Sequence, residues 1–368
     1  MNLRTWTEID LQRLRGNIRA LLAFTGVKVL VVVKANAYGH GAIEIAKAAI
    51  SAGAAIVGVG DPEEALALRG SGFRGPVLLL GHTPSSYLPA LISEGVTFSF
   101  WKKEHIDAAS QAAVALGRSA TLHLYMDLEM GRFGCVPEEA HDLLDYASGL
   151  PSIEIAGLMS HLPSIDEDKD LTLEQIQRFD VLAQSIRIHH PGLTVHLSSS
   201  AGIPLYRSGY FDMVRAGIVT YGVSEAARLI PGMLPVLAWK ATVLDVRTFP
   251  AGSSIGYGGE YICTDEEIIA VIGVGYADGF RRTPKNVNEA IWGGDIMPVV
   301  GRVGTQHSLM KVPRHRKILE GDTVTLLGES GDVSISAHDI ASRWGTNEWD
   351  VLSAIGASVK RVYIPVEP

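Results

Sequence analysis

The chain has 368 residues, 47% of them hydrophobic, with a formal net charge of -8 and two cysteines. This length exceeds one ordinary hydrophobic core, so we expect two domains. An acidic balance without a basic cluster argues against nucleic acid or an anionic membrane as a partner, and no apolar run is long enough to span a membrane. Two cysteines provide neither a disulfide framework nor a zinc-site spacing, and the N-terminus lacks a signal-peptide pattern. We therefore expect no metal and a cytoplasmic location.

A strand-like segment, Thr5 to Ile9, opens the chain, and Asp10 is placed to cap the helix that follows. Apolar runs suited to buried parallel strands then alternate with helical patterns as far as about Gly217. Eight such runs are found, at 29–33, 55–59, 77–80, 96–98, 121–126, 155–159, 195–197 and 213–214. Eight strand and helix units predict a (β/α)8 barrel, a TIM-like α/β fold.

Residue types mark several helix starts between these strands. Asp61, Pro62 and Glu63 supply an N-cap, a proline at the first helical position and an acid in the first turn. Segments beginning at Pro137 and Thr172 have a similar composition, and we expect helices to start there.

The pattern changes after a linker rich in proline and glycine at 229–235. Beyond it, alternating residues such as those of 239–244, together with recurrent glycines, predict a mainly β domain of short strands. Helical patterns return at 337–344 and 347–355. We therefore divide the chain into a barrel at 10–232 and a β-rich domain at 233–368, to which the N-terminal strand, 1–9, also belongs.

The first barrel strand ends abruptly on Lys34, followed by a short polar loop bracketed by Gly39 and Gly41. In a barrel, this position lies at the catalytic mouth. A lysine at a strand end can simply extend its amine into solvent. Alternatively, a desolvated lysine can have a lowered pKa and form a Schiff base with an aldehyde cofactor.

Polar residues also follow the later strands, where a barrel places its catalytic groups. Arg132 follows the fifth strand and His161 the sixth. Ser200 follows the seventh, and the eighth leads into Arg215, Gly217 and Ile218. Barrels commonly bind phosphate at the last two of these loops. The Ser200 hydroxyl, the amides of Gly217 and Ile218 and the Tyr38 hydroxyl are the candidate donors.

The segment Lys34–Gly41 closely resembles the signature around the pyridoxal-phosphate lysine of the alanine racemase family, and the resemblance extends over nearly the whole chain. It implies that Lys34 carries pyridoxal 5'-phosphate. It also implies that Arg132 contacts the cofactor's phenolate oxygen and the substrate carboxylate, and that Arg215 faces the pyridine nitrogen. Because arginine keeps its proton, that nitrogen would stay unprotonated and the cofactor would be a weaker electron sink.

Racemisation needs a second acid–base group on the opposite face of the substrate. The family places a tyrosine there, and its motif stands here as Gly275–Gly279, which contains Tyr276. By resemblance His161 links Arg215 to Tyr276. The plainer alternatives are a packed aromatic for Tyr276 and a structural histidine for His161. In the family this tyrosine comes from a second subunit, which implies a head-to-tail homodimer with Tyr276 acting in the partner's site.

Several positions depart from the family pattern. Tyr125 stands where many members have a lysine beside the arginine equivalent to Arg132, and Leu128-Glu129 replaces a usual Thr-Gly. The segment Val303-Gly304-Thr305-Gln306 replaces one that usually carries Met-Asp beside the substrate, and Gln306 is neutral where a negative charge is usual. The Thr305 backbone N–H can still bind a carboxylate. Further departures, near the entrance and after strands six and seven, are Pro163, Ser199 and Ala357-Ser358.

These differences leave three alternatives beside interconversion of L- and D-alanine. The enzyme could racemise another amino acid, such as serine or lysine. The chain could be a non-catalytic pyridoxal-phosphate carrier, although carriers end at the barrel. It could also be a decarboxylase of the same barrel type, but Cys263 lacks the expected context. The racemase interpretation makes the chain an isomerase that serves D-alanine biosynthesis, a source of peptidoglycan precursors.

Overall fold

The computed structural model describes residues 3–283 and 287–364. Contacts divide them into two compact units. The first consists of Arg13–Ala37 and Gly41–Leu234. The second consists of the described residues within Met1–Gln12, Tyr38–His40 and Pro235–Pro368. None of the helices in these ranges has the length and hydropathy that a membrane crossing requires.

The first unit is built on a parallel sheet of eight strands within the described ranges. In chain order, barrel strands one to eight are Lys28–Val32, Ile56–Val59, Val77–Leu79, Thr97–Phe100, Ala120–Tyr125, Ile153–Met159, Thr194–His196 and Met213–Ala216. Each strand pairs with the next, and strand one also pairs with strand eight. A parallel bridge between Ser199 and Arg215 joins the ends of strands seven and eight. The predicted barrel is confirmed.

Burial explains why these segments are strands. Val29, Leu30 and Val31 are fully buried, as is typical of a parallel strand covered on both faces. The helices of this unit alternate with the strands. They are Leu11–Thr25, Ala42–Ser51, Pro62–Gly70, Leu88–Ser93, Lys103–Leu116, Ala140–Ser148, Lys169–His189, Gly202–Leu205 and Glu225–Arg228.

Local capping determines where these helices begin. The Asp10 carboxylate accepts a hydrogen bond from the amide of Gln12, and that of Asp61 accepts one from the amide of Glu64, as predicted. The expected start at Thr172 is wrong. The helix begins at Lys169 because Asp168 caps it by accepting from the amide of Leu171.

The chain forms a left-handed turn directly after strand one. Ala35, Asn36 and Ala37 have φ values of 51°, 54° and 55°, and Tyr38 has a φ of 50°. Residues other than glycine rarely adopt this conformation, which costs roughly 1–2 kcal/mol each. Such strain concentrates at functional sites, and here it lies next to Lys34.

The second unit is mainly β, as predicted. Its described strands are Thr5–Asp10, Leu237–Phe249, Ser254–Ile255, Tyr261–Ile262, Glu267–Ile272, Glu289–Trp292, Asp295–Val300, Ser308–Val312, Thr323–Ser330, Val333–Ile335 and Lys360–Ile364. Nine of these form one sheet. Thr5–Asp10 lies in it, antiparallel to Leu237–Phe249 and parallel to Lys360–Ile364. Two helices, Ala337–Trp344 and Glu348–Ser353, match the predicted helical segments.

Candidate active site

Lys34 follows the end of barrel strand one and lies in the barrel mouth, which opens to solvent. Desolvation lowers the pKa of its amine, the Arg132 and Arg215 charges lower it further, and Glu64 opposes them. A Cβ added to Gly60 would lie 3.3 Å from the Lys34 Cβ, so the lysine stem runs against glycine backbone. The surroundings therefore increase the neutral fraction of this amine relative to that of a free lysine.

Glu64 fixes the backbone around this lysine. One of its carboxylate oxygens accepts from the amide of Ala35, in the left-handed turn. The other accepts from the amide of Gly60 at 2.8 Å. One carboxylate thus ties the loop after strand two to the turn after Lys34. Sequence analysis assigned no role at the site to Glu64.

Arg215 is a buried cation held by main-chain oxygens. Its terminal nitrogens donate to the carbonyls of Ser160, His196 and Leu197 at 2.6–2.9 Å. Burial lowers its pKa to about 10, so it remains charged at neutral pH. Within the described residues the Arg215 Nε–H has no protein acceptor. It is therefore the donor that this side chain can offer to a ligand.

Two histidines form a buried pair behind Arg215. Arg215 donates to His196 Nδ1 at 3.1 Å, so His196 carries its proton on Nε2 and donates to His123 Nδ1 at 2.9 Å. Desolvation, with the Arg215 charge, lowers the pKa of His196 well below its usual value and that of His123 to about 4. Sequence analysis assigned neither residue a role. The available signal was a lone histidine inside each of two apolar strands.

His161 lies on the other side of Arg215. Its Nδ1 accepts from the guanidinium at 3.2 Å, as the resemblance implied for this pair. Desolvation, followed by the charges of Arg215, Arg132 and Lys34, lowers its pKa to about 3. His161 is therefore neutral at physiological pH. Its predicted link to Tyr276 stays a prediction.

Arg132 lies in the loop after strand five. Asp127 organises this loop by accepting from the amides of Met130 and Gly131. Glu129, at the usual glycine position, has a φ of 70°, and its carboxylate pairs with Arg178 at 3.0 Å. Arg132 is exposed, and its guanidinium lies 6.0 Å from the centre of the Phe133 ring. It is thus available to an anionic ligand.

Three of the four predicted phosphate-binding residues, Ser200, Gly217 and Ile218, follow barrel strands seven and eight. The amide of Gly217 donates to the Ser200 hydroxyl oxygen at 2.9 Å, and the amide of Val219 approaches it at 3.4 Å. These amides therefore donate to Ser200, whose hydroxyl hydrogen has no acceptor among the described residues. Ile218 follows in a buried turn, Ile218–Tyr221. Tyr38 belongs to the second unit.

Tyr276 and Thr305 lie in the second unit. Tyr276 begins a short 3-10 turn, Tyr276–Asp278, and its side chain is 46% exposed. Its hydroxyl is 2.7 Å from the Thr305 hydroxyl. The predicted role of the Thr305 amide stays a prediction.

The barrel mouth can bind an anion and hold a reactive amine. Lys34, Arg132 and Arg215 lie close enough for each arginine to lower the lysine pKa. Glu64 is the acid that opposes them, and it already accepts two backbone hydrogen bonds. Such an arrangement suits an anionic ligand.

Comparisons with known proteins agree over nearly the whole chain. The family model for the alanine racemase N-terminal domain matches residues 9–225, and that for the C-terminal domain matches residues 236–363. An alanine racemase of Symbiobacterium thermophilum is 36% identical over 368 residues, which cover 98% of this chain and 97% of that protein. An alanine racemase of Desulfovibrio desulfuricans is 34% identical, and the match covers 98% of this chain and 98% of that protein. The solved alanine racemase of Clostridium difficile 630 has a TM-score of 0.92 at 31% identity, with 99% of this chain and 96% of that chain covered. The chain belongs to the alanine racemase family.

Proposed function

We propose that this chain interconverts L- and D-alanine with pyridoxal 5'-phosphate as its cofactor and with Lys34 and Tyr276 as its two acid–base groups. Family membership supports the reaction. The observation that carries the assignment of the site is the position of Lys34 just after barrel strand one, near Arg132 and Arg215, whose charges lower the pKa of its amine. The substrate is a small amino acid.

The residues present fit the cofactor. Lys34 supplies the amine. The Arg215 Nε–H, which has no acceptor in the described part of the chain, can donate to an unprotonated ring nitrogen. Ser200 has a hydroxyl hydrogen to offer a phosphate oxygen, and Tyr38 is a further candidate donor. When bound, the cofactor would withdraw electrons from the Cα–H bond of the amino acid and so make that proton removable.

The protein residues then bind the substrate and move the proton. Arg132 can pair with the substrate carboxylate through two parallel N–H donors. Lys34 can accept the Cα proton on one face because a lowered pKa increases its neutral fraction. Tyr276 would return a proton on the other face. His161, neutral beside Arg215, holds a hydrogen bond without adding another charge.

A homodimer is part of this proposal, with Tyr276 serving the active site of the partner. Its exposed side chain supports this arrangement. Mixing Lys34→Ala and Tyr276→Phe subunits tests it, because a mixed dimer then contains one site with both residues intact. Random mixing should restore about a quarter of the wild-type activity. If the Lys34→Ala and Tyr276→Phe variants are each inactive and stay inactive after their subunits exchange, Tyr276 does not act in the partner's site.

The cofactor assignment is tested by the visible spectrum of the purified protein and by chiral analysis of alanine. Lys34→Ala should lose both the absorbance of covalently held cofactor and D-alanine formation. Lys28, exposed at the start of the same strand, provides the matched control. Lys28→Ala should retain both signals. Equal loss in the two variants would contradict a specific role for Lys34.

A substrate panel separates the remaining alternatives. We expect alanine to be racemised faster than serine, lysine or other amino acids. A different best substrate would move the assignment to another amino-acid racemase. Cofactor binding without turnover would favour the carrier, and release of an amine would favour a decarboxylase.

A further inference from the structure

The Tyr276 phenol has one hydrogen-bond partner in the described part of the chain. Its oxygen lies 2.7 Å from the Thr305 hydroxyl oxygen. Because nearly half of the tyrosine side chain is exposed, packing alone restrains it weakly. The contact with Thr305 is therefore the specific restraint on the phenol.

Backbone hydrogen bonds tie together the two segments that carry these side chains. The amide of Tyr276 donates to the carbonyl of Gly304, and that of Ala277 donates to the carbonyl of Thr305, both at 3.0 Å. The approach is close enough that a Cβ added to Gly275 would lie 2.4 Å from the Gly304 oxygen. The Thr305 hydroxyl is thus presented from a backbone fixed against that of Tyr276.

A guanidinium reinforces this arrangement. Arg4 donates to both carboxylate oxygens of Asp278, at 2.6 and 2.7 Å, and to the Gln306 carbonyl at 2.8 Å. Asp278 in turn accepts from the amide of Gly275 at 3.0 Å. Arg4 therefore joins Asp278, two positions after Tyr276, to Gln306, which directly follows Thr305.

We propose that Thr305 is a positioning residue that holds the Tyr276 phenol in the orientation required for proton transfer at Cα. The proposal rests on the proposed function of Tyr276 as the second acid–base group. A threonine hydroxyl can both donate and accept. The bond can therefore persist whether the phenol donates its proton to Thr305 or, once ionised, accepts one from it. Proton transfer depends steeply on the position of the acid or base, so a restrained phenol transfers more efficiently than a rotating one.

Thr305→Val removes the hydroxyl and keeps the shape, whereas Thr305→Ser keeps the hydroxyl. We expect Thr305→Val to lower kcat about 3- to 10-fold, which is the effect of losing one hydrogen bond, with a smaller change in KM. Thr305→Ser should retain most of the wild-type kcat. Because the two enantiomers are equally stable, kcat/KM must fall equally in both directions. Deuterium at Cα identifies the affected step. In Thr305→Val the isotope effect should rise for the enantiomer that Tyr276 deprotonates and fall for the one that Lys34 deprotonates.

A second readout does not depend on turnover. In protein labelled with 3-fluorotyrosine, the Tyr276 resonance, assigned by its absence in Tyr276→Phe, should shift and narrow in Thr305→Val and stay close to wild type in Thr305→Ser. Unchanged isotope effects and an unchanged resonance in Thr305→Val would overturn the proposal while leaving Tyr276 as the second base. Wild-type turnover in Tyr276→Phe would instead overturn the proposed function. Equal loss in the Val and Ser variants would also reject a role for the hydroxyl.

Discussion

The desolvated histidines His123 and His161 make the folded state sensitive to acid in a calculable way. The pKa of His123 is lowered from 6.5 to about 4, and that of His161 from 6.5 to about 3. Each contribution to stability is complete above pH 6.5 and is lost as the pH falls, because the unfolded chain then binds a proton that the folded chain excludes. At about pH 5, 1.5 units below the unfolded pKa, the loss is about 2 kcal/mol per histidine.

Urea unfolding of the loaded protein at fixed protein concentration, measured at several pH values between about 5 and 8, tests this calculation. His123→Asn removes the titrating ring and keeps an oxygen that can accept from His196. Between pH ~8 and pH ~5, the free energy of unfolding of His123→Asn should fall by about 2 kcal/mol less than that of the wild-type protein. The exposed His315 provides the control, and His315→Asn should follow wild type. The reasoning is refuted if His123→Asn retains the full pH dependence.

Three further variants test a close contact, a strained backbone and an ion pair. Gly157→Ala should destabilise the protein by about 2 kcal/mol in urea unfolding, because the added Cβ would lie 2.4 Å from the His123 ring. In the control, Gly16→Ala on an exposed helical position should raise the free energy of unfolding by about 1 kcal/mol. Equal effects of the two substitutions would contradict the clash. Ala35→Gly should raise stability by up to about 1 kcal/mol, since the φ of 51° strains alanine, and a decrease would argue against stored strain. Arg4→Gln should cost about 3 kcal/mol because it leaves the 2% exposed Asp278 carboxylate unpaired. A double-mutant cycle with Asp278→Asn should show strong coupling, and additivity would refute the pair.

The barrel could be predicted because each of its strands is a short apolar run that must be covered on both faces. The same logic located Lys34, since a lysine that ends such a run has to lie at the strand end. Helix starts were predictable where a single cap candidate existed, as at Asp61. They were mistaken at Thr172, where Asp168, four residues earlier, provided the cap that the chain uses.

Side-chain contacts between distant segments could not be predicted from the sequence. The bond between Tyr276 and Thr305 joins side chains 29 residues apart, and the bond between His123 and His196 joins rings 73 residues apart. Neither spacing follows a helical or strand period. The left-handed turn was hidden for another reason: Ala35, Asn36 and Ala37 carry no glycine to indicate a positive φ.

That turn also limits which sequences can follow the lysine. Threonine, valine and isoleucine branch at Cβ and tolerate a positive φ poorly. A saturation library over residues 35–37 should therefore retain glycine, asparagine and alanine and lose the branched residues, whatever their effect on chemistry. Variation at this rim of the barrel is restricted by backbone handedness, which leaves the loops after the other strands as the freer places to reshape the entrance.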